Sequence, residues 1–258
     1  MRNFPTTSKP AQKLIVFARI PQQGRVKTRL ASEIGPERAA VLYRAMIDDV
    51  LENFSEDDGA FDVEIAWSAS GAVEGAELRD LFGERRLAMQ TGRDLGERLV
   101  VAFSERIVFH QTDKVIAIGV DEPTLDRDSV LRAFDLLDGC DWVVGPSRDG
   151  GYYLIGCRAG SFHPSVFEKI EWGTPRVFSG TEESIRALGA SVAILPERVD
   201  LDVAGDLRRL AAGGAGGASR VRALIEQWGL ARCRSSIRTR CDRSTGARRR
   251  SSASPRFC

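Results

Sequence analysis

The run Val115–Val120 (VIAIGV) is aliphatic apart from one glycine, and it stops at Asp121-Glu122-Pro123. An unbroken apolar run of this kind fits a strand buried on both faces, as found in parallel sheets covered by helices. Ligands of open α/β sheets sit beyond the carboxyl ends of such strands. A carboxylate at that end is therefore placed to hold a divalent metal carrying phosphates, and Asp121 is the candidate centre of the site.

The rest of the chain repeats the pattern. Leu14–Ala18 (LIVFA) is a short aliphatic run expected as a central first strand, and a basic loop, RIPQQGRVKTRLASEIG, follows it. Pro36 marks a helix start, after which Ala39, Tyr43, Met46, Ile47, Val50 and Phe54 recur at helical spacing. Phe61–Trp67 alternates as a strand does, EGAELRDLFG reads as a short helix ending at Gly83, and Leu87–Gln90 as a third strand. Asp94 is placed to cap a helix whose Leu95, Leu99, Ala102 and Phe103 share a face. After the Asp121 stretch come a helix over Asp128–Leu137 and a strand at Trp142–Gly145. The turn Asp149-Gly150-Gly151 leads into a further strand, Tyr152–Ile155. A helix over Arg176–Leu188, a last strand at Ser191–Leu195 and helices near Gly205–Leu210 and Arg220–Trp228 complete the pattern. Strands alternating with helices predict a mostly parallel sheet covered on both faces. The glycines of Gly213–Gly217 follow no strand and read as a linker, not a dinucleotide loop.

Composition removes several classes. With 258 residues, 43% hydrophobic and 28% charged, the chain is ordinary for a globular protein. No run approaches the ~20 apolar residues of a membrane span and residues 1–12 lack a signal peptide's apolar stretch, so a cytoplasmic protein is expected. Two histidines (His110, His163) and five cysteines without a CxxC pair argue against zinc or disulfide frameworks. Residues 231–258 carry nine arginines and one aspartate, +8, so the whole-chain +1 leaves −7 for residues 1–230. The expected organisation is a flexible leader (1–12), one folded α/β domain (13–230) and a disordered Arg/Ser-rich tail (231–258). That tail is the only feature suited to nucleic acid and does not decide the function.

Two constellations carry chemistry. In the basic loop, Gly24 lies among Arg19, Arg25, Lys27 and Arg29, and Lys27 and Arg29 alternate with Val26, Thr28 and Leu30 so that both can face one side. Such a loop suits phosphate oxygens, or is simply solvated; it lacks the GxxxxGK[ST] spacing of a Walker A loop. In the acidic constellation, Asp121 is joined by Asp200 and Asp202, which also follow a strand. Mg²⁺ commonly takes one or two carboxylates and completes its shell with water and phosphates. The alternative is that these aspartates only cap turns and helices.

Taken in order, FARIPQQGRVKTRLA, QTGRDLGERL, GVDEPTLD, GPSRDGGYYLIG, EWGTPRV and VDLDVAGDL resemble a bacterial family of GT-A-fold transferases described as glycosyltransferase-like. That family is related to phospholactate guanylyltransferase and the molybdenum-cofactor nucleotidyltransferases, and the resemblance runs from about Lys13 to Leu210. It implies an α/β GT-A (Rossmann-like) three-layer α/β/α sandwich with a mostly parallel sheet. It also implies a nucleotide site whose metal is held by Asp121; Mg²⁺ or Mn²⁺ is the expected ion, with Asp202, by its place after a strand, expected to help. By the same matching Gly24, Arg25, Lys27 and Arg29 fall in the phosphate loop, and Asp149, Gly150 and Gly151 in the segment facing the sugar or acceptor, while Arg93, Asp94 and Gly96 match a further patterned segment. Ala18 and Arg19, just ahead of the loop, are expected to bind the nucleotide with it, and Arg93 and Asp94 to bind substrate. Asp121, Lys27 and Asp149 are the expected catalytic residues, Asp149 serving as base for an acceptor hydroxyl or only as a turn former. Glu122 departs from the family's usual GTDCPTL and is either a further ligand or a surface change. The expected reaction is glycosyl transfer from a nucleotide-diphosphate sugar to a small acceptor. The alternatives are nucleotidyl transfer from an NTP with pyrophosphate leaving, and a non-catalytic nucleotide-sugar binder. No membrane partner is expected, and a homodimer is left open.

Overall fold

The structure, a computed structural model, describes residues 11–55, 59–213 and 217–231. Along the chain run β1 (Gln12–Arg19), α1 (Thr28–Ile34), α2 (Pro36–Asn53), β2 (Asp62–Ser68), α3 (Gly75–Phe82), β3 (Arg86–Met89) and α4 (Leu95–Ser104). They are followed by β4 (Lys114–Gly119), α5 (Arg127–Leu136), β5 (Trp142–Pro146), β6 (Tyr152–Arg158), α6 (Val177–Ala187), β7 (Val192–Ile194), α7 (Ala204–Ala212) and α8 (Ser219–Gln227). The sheet order is β3-β2-β1-β4-β6-β5-β7. Only β6 runs against its neighbours: β4 and β5 each pair with it antiparallel, and the remaining pairs are parallel. The mostly parallel α/β sandwich expected from the sequence is what the chain forms.

Alternation along the central strands builds the three layers. Leu14 and Val16 of β1 and Ile116 and Ile118 of β4 face one side, where α2, α5, α7 and α8 cover them. Ile15, Val115 and Ala117 face the other, against α4 and α6. Both faces of β1 and β4 are thus dry, which is why these strands read as continuous aliphatic runs. β2 and β3 extend the sheet to one side of β1, whereas β4 joins its other side. The chain reverses its direction of winding at β1, and that is where open α/β sheets place their ligands.

Four details differ from the sequence reading. The basic loop contains a short helix, α1, with a single buried side chain, Leu30. β1 begins at Gln12, inside the segment read as a leader, while residues 1–10 and 232–258, and with them most of the leader and the tail, lie outside the described residues. Leu95 is 43% exposed, whereas Leu99, Ala102 and Phe103 are buried as expected. The α4 helix then widens into a π-turn over Glu105–Phe109, which no periodicity signalled.

Among the described residues no helix is long and apolar enough to cross a membrane. Of the cysteines, Cys140 and Cys157 are free thiols.

Candidate functional site

The carboxyl ends of β1 and β4 open into a groove. At the end of β4 the chain turns through Asp121–Leu125, and two contacts fix the turn. The Asn53 amide at the end of α2 donates to the carbonyls of Pro123 (3.2 Å) and Leu125 (3.0 Å). Glu122 folds inward and accepts from the backbone N–H (2.9 Å) and hydroxyl of Thr124. Glu122 is therefore neither a surface residue nor turned toward a ligand; it is buried and stabilises the turn. This leaves Asp121 alone projecting at the strand end.

A second segment is tied against the first. The N–H of Leu201 donates to the carbonyl of Asp121 (2.9 Å), which brings Asp200 and Asp202 to the same place. Arg198 staples that segment: its guanidinium reaches the Thr124 carbonyl (3.3 Å) and the Ser129 hydroxyl (2.9 Å), and lies over the Tyr153 ring. Asp206 takes the helix-starting role that Asp200 and Asp202 could have had, accepting from the N–H groups of Asp202 and Val203 (both 2.8 Å). Asp202 is free to face the groove.

Lys27 stands between the two carboxylates. Its Nζ lies 2.9 Å from Asp121 Oδ1 and donates to Asp202 Oδ1 at 2.7 Å. Burial alone lowers a lysine's pKa, but here Asp121 and Asp202 outweigh it and hold the ammonium above its ordinary value. The Lys27 side chain is 4% exposed, that of Asp121 48%. Lys27 also sits at φ +46° just before α1, a left-handed conformation uncommon for a residue with a Cβ. Lys27 and Arg29, expected to face one side, differ sharply: Lys27 is turned inward, and Arg29 is exposed, though both border the same cavity.

Asp200 is the third carboxylate. Its Oδ1 is buried without a hydrogen-bond partner. Burial, then the charges of Asp121 and Asp149, push its pKa up to about 7. The unfolded chain releases this proton near pH 4. Between pH 4 and 7 the native protein therefore binds more protons than the unfolded one, and stability falls as pH rises. Urea titrations at pH 5 and pH 7.5 are expected to show this loss in the wild type and a flatter profile in Asp200→Asn; equal slopes would contradict it.

Among the described residues no three His, Cys, Asp or Glu side chains converge as a ready-made metal cage. The donor set still fits a hard divalent ion that keeps most of its shell for water and phosphate. Two carboxylate oxygens already share one cation, and a third is orphaned beside them.

Three adjoining cavities share Arg19. A polar one of about 290 Å³ is bordered by Arg19, Lys27, Arg29, Tyr43, Asp121 and Asp202. A second, of about 360 Å³, has an apolar half formed by Phe17, Leu95, Leu99 and Ile155 and a polar half that includes Arg19, Arg93 and Arg98. The exposure of Leu95 is explained by its position there. A third, of about 130 Å³, lies between Gln22, Arg25 and the end of β2 at Ser68–Ser70. The expected phosphate residues thus gather: Ala18 borders the second cavity, Arg19 all three, Arg25 the third, and Gly24 makes the turn at φ +70°.

The expected substrate residues hold the frame. Asp94 caps α4 by accepting from the Glu97 N–H (2.9 Å), and Arg93 pairs with Glu97 at the rim of the second cavity. Gly96 is packed so closely that a Cβ would lie 2.7 Å from the Phe167 carbonyl oxygen. Asp149 Oδ1 accepts from the Ser147 hydroxyl (2.7 Å) and the Gly151 N–H (3.0 Å), which is turn chemistry. Gly150, at φ +90°, lies against Pro175, whose carbonyl oxygen would be 2.1 Å from an added Cβ.

Three contributors escaped the sequence reading. The Tyr43 hydroxyl, on a helix face read as pure core, accepts from the Arg19 N–H (3.1 Å) at the polar cavity. The Gln90 amide ties β1 to β2 by donating to the carbonyls of Ala18 (3.2 Å) and Ala66 (2.7 Å), and Arg98 donates to its oxygen. No residue spacing signals either link, because each joins segments distant in the chain.

Known proteins bear on this geometry. The family model described as "Uncharacterized protein conserved in bacteria (DUF2064)" matches residues 55–174. A solved structure from Desulfovibrio desulfuricans G20, described as a "putative nucleotide-diphospho-sugar transferase", is 33% identical over 85% of this chain and 96% of its own, with a TM-score of 0.79. A 4-diphosphocytidyl-2C-methyl-D-erythritol synthase is 13% identical, covering 84% of this chain and 99% of its own, with a TM-score of 0.52. A CMP:2-keto-3-deoxy-manno-octonic acid synthetase complexed with CTP has the same identity and coverage and a TM-score of 0.50. These last two share the fold. No protein of curated function matches the sequence.

Proposed function

The chain belongs to the bacterial family DUF2064 and is a transferase of the nucleotide-diphospho-sugar transferase fold; from that premise we propose that it moves a nucleotidyl group from an NTP to a small anionic acceptor, with pyrophosphate leaving. The polar cavity is the phosphate compartment. Arg19 and Arg29 border it from the solvent side, where guanidinium groups can take phosphate oxygens in bidentate fashion. Asp121 and Asp202, with Asp200 beside them, would hold Mg²⁺ or Mn²⁺, and the ion would supply positive charge to stabilise the leaving group.

The observation that carries the choice is the chemistry of the adjoining half-apolar cavity. Its cationic side chains are Arg19, Arg98 and Arg93, the last paired with Glu97 at the exposed rim, and its two carboxylates are engaged, Asp94 by the first turn of α4 and Asp121 by Lys27. An acceptor hydroxyl needs a base in reach, whereas a phosphate or carboxylate acceptor is already a nucleophile and is drawn in by cations. The cavity suits the second kind. Arg93 and Arg98 would orient the acceptor's anionic group, and Phe17, Leu95 and Leu99 would pack its body.

Glycosyl transfer from a nucleotide-diphosphate sugar is the second reading. Asp149 favours it: exposed, with its Oδ1 spent on the turn, it leaves one oxygen for an acceptor hydroxyl. Thermal shift against NTPs and nucleotide-diphosphate sugars, with and without Mn²⁺, separates the two. A ligand present at about 100 times its dissociation constant adds roughly 2.7 kcal/mol. Stabilisation by an NTP, with pyrophosphate released once an anionic acceptor is added, is the expected result. Stabilisation by a nucleotide-diphosphate sugar alone selects the second reading, and a response to neither class overturns both.

A further inference from the structure

We propose that the Lys27 ammonium is the resting occupant of the divalent-cation position, and that a cation enters between Asp121 and Asp202 only as Lys27 leaves. The inference rests on the metal-dependent reading above and concerns how that site is loaded.

The two oxygens that hold the ammonium cannot hold a second cation at the same time. Asp121 Oδ1 and Asp202 Oδ1 converge on one Nζ at 2.9 and 2.7 Å. A Mg²⁺ or Mn²⁺ ion bound to those two oxygens at ~2.1 Å would occupy essentially the point where the ammonium stands. The carboxylates bring two negative charges and Lys27 returns one, so half of their charge is already compensated without any ion. A cation arriving alone must break two charge-assisted contacts at a buried ammonium and leave that ammonium unpaired, which is costly. A cation arriving with phosphates meets a different balance. Lys27 borders the same polar cavity as Arg19 and Arg29, so its four-carbon stem can carry the ammonium from the carboxylates to the incoming phosphate oxygens. The positive charge is then paired in both states.

Backbone and anchoring agree with a side chain that has two positions. Lys27 starts α1 from a left-handed conformation at φ +46°, and its carbonyl, not its side chain, makes the helix contact, accepting from the Ala31 N–H at 2.7 Å. Moving the ammonium does not disturb that bond. The consequence is ordered loading: metal affinity is low in the free protein and rises when nucleotide supplies a new partner for Lys27.

Mn²⁺ binding to the full-length protein, followed by the electron paramagnetic resonance signal of the free ion, tests this without reference to activity. Lys27→Gln is expected to bind Mn²⁺ in the absence of nucleotide about tenfold or more tightly than wild type, and Lys27→Arg to show no such gain. Equal or weaker Mn²⁺ binding by Lys27→Gln overturns the proposal while leaving the metal site standing. Failure of every protein to bind Mn²⁺, with or without an NTP, overturns the metal reading itself and the proposal with it. Should Lys27→Gln not fold, reductive methylation of the wild type gives the same answer. Lys27 is expected to be protected in the free protein and to become labelled faster on adding Mn²⁺ alone; unchanged protection at saturating Mn²⁺ counts against displacement.

Discussion

Asp121→Ala is expected to lower turnover by about a thousandfold or more while the protein keeps its fold. The two halves of that statement have separate causes. Asp121 is the one carboxylate at the strand end whose side chain is half exposed, so its truncation leaves no cavity in the core, and the buried Lys27 ammonium loses one partner but keeps Asp202 at 2.7 Å, a stability cost well short of unfolding. The contact that positions Asp200 and Asp202 uses the Asp121 carbonyl, which accepts from the Leu201 N–H, and a side-chain change leaves it in place. Chemistry loses more. Without that carboxylate the cation position keeps only Asp202 and the orphaned Asp200, and charge on the leaving group loses its counter-charge, a loss of the order seen when one preorganised stabilising group is removed. Asp121→Asn should fall nearly as far, since the amide preserves shape and removes charge. Pyrophosphate release measured beside circular dichroism and Tm checks both halves. Turnover within tenfold of wild type would remove Asp121 from the centre of the site, and a collapsed fold would show that its role is structural.

Asp121 was legible in the sequence because both of its determinants are local. The aliphatic run Val115–Val120 has no polar interruption and is of strand length, which fits a strand buried on both faces, and the first carboxylate after it then stands at that strand's end. Likewise Ala39, Tyr43, Met46, Ile47 and Val50 all face the core because a 3.6-residue period needs no knowledge of the partner. What stayed hidden depends on contacts between distant segments. Lys27 and Arg29 look equivalent two residues apart; only the arrival of Asp202, 175 positions later, turns one inward. α1 was read as loop because seven residues with one buried side chain, Leu30, carry no stripe, and the helix depends on packing against α2. Glu122 was ambiguous for the same reason. Its choice between ligand and turn was settled by Thr124 two residues on, a local contact, but only once Asn53 had fixed the path of the turn.

Arg106→Met is expected to destabilise the protein by about 3–5 kcal/mol, the largest stability effect among single charge changes far from the site. Arg106 lies in the π-turn after α4, 3% exposed, and pairs with Glu64 of β2, itself 7% exposed. The pair closes the end of the sheet opposite the groove, where Lys13 Nζ also stands 3.6 Å from Glu64 and the Ala102 carbonyl accepts from the Arg106 guanidinium at 3.3 Å. Arg106 is the second residue of that turn, and its guanidinium reaches Glu64 of β2. Removing Arg106 leaves Glu64 buried with only the longer contact to Lys13, and an under-compensated carboxylate in a dry core is what makes the loss large. The same physics gives the control. Replacing both partners, Glu64→Leu with Arg106→Met, removes the desolvation cost along with the attraction and is expected to recover most of the loss. Guanidinium titrations of the two single variants and the double variant measure the coupling directly. Additive single effects, with no recovery in the double variant, would show that Arg106 acts through the packing of its stem and not through its charge.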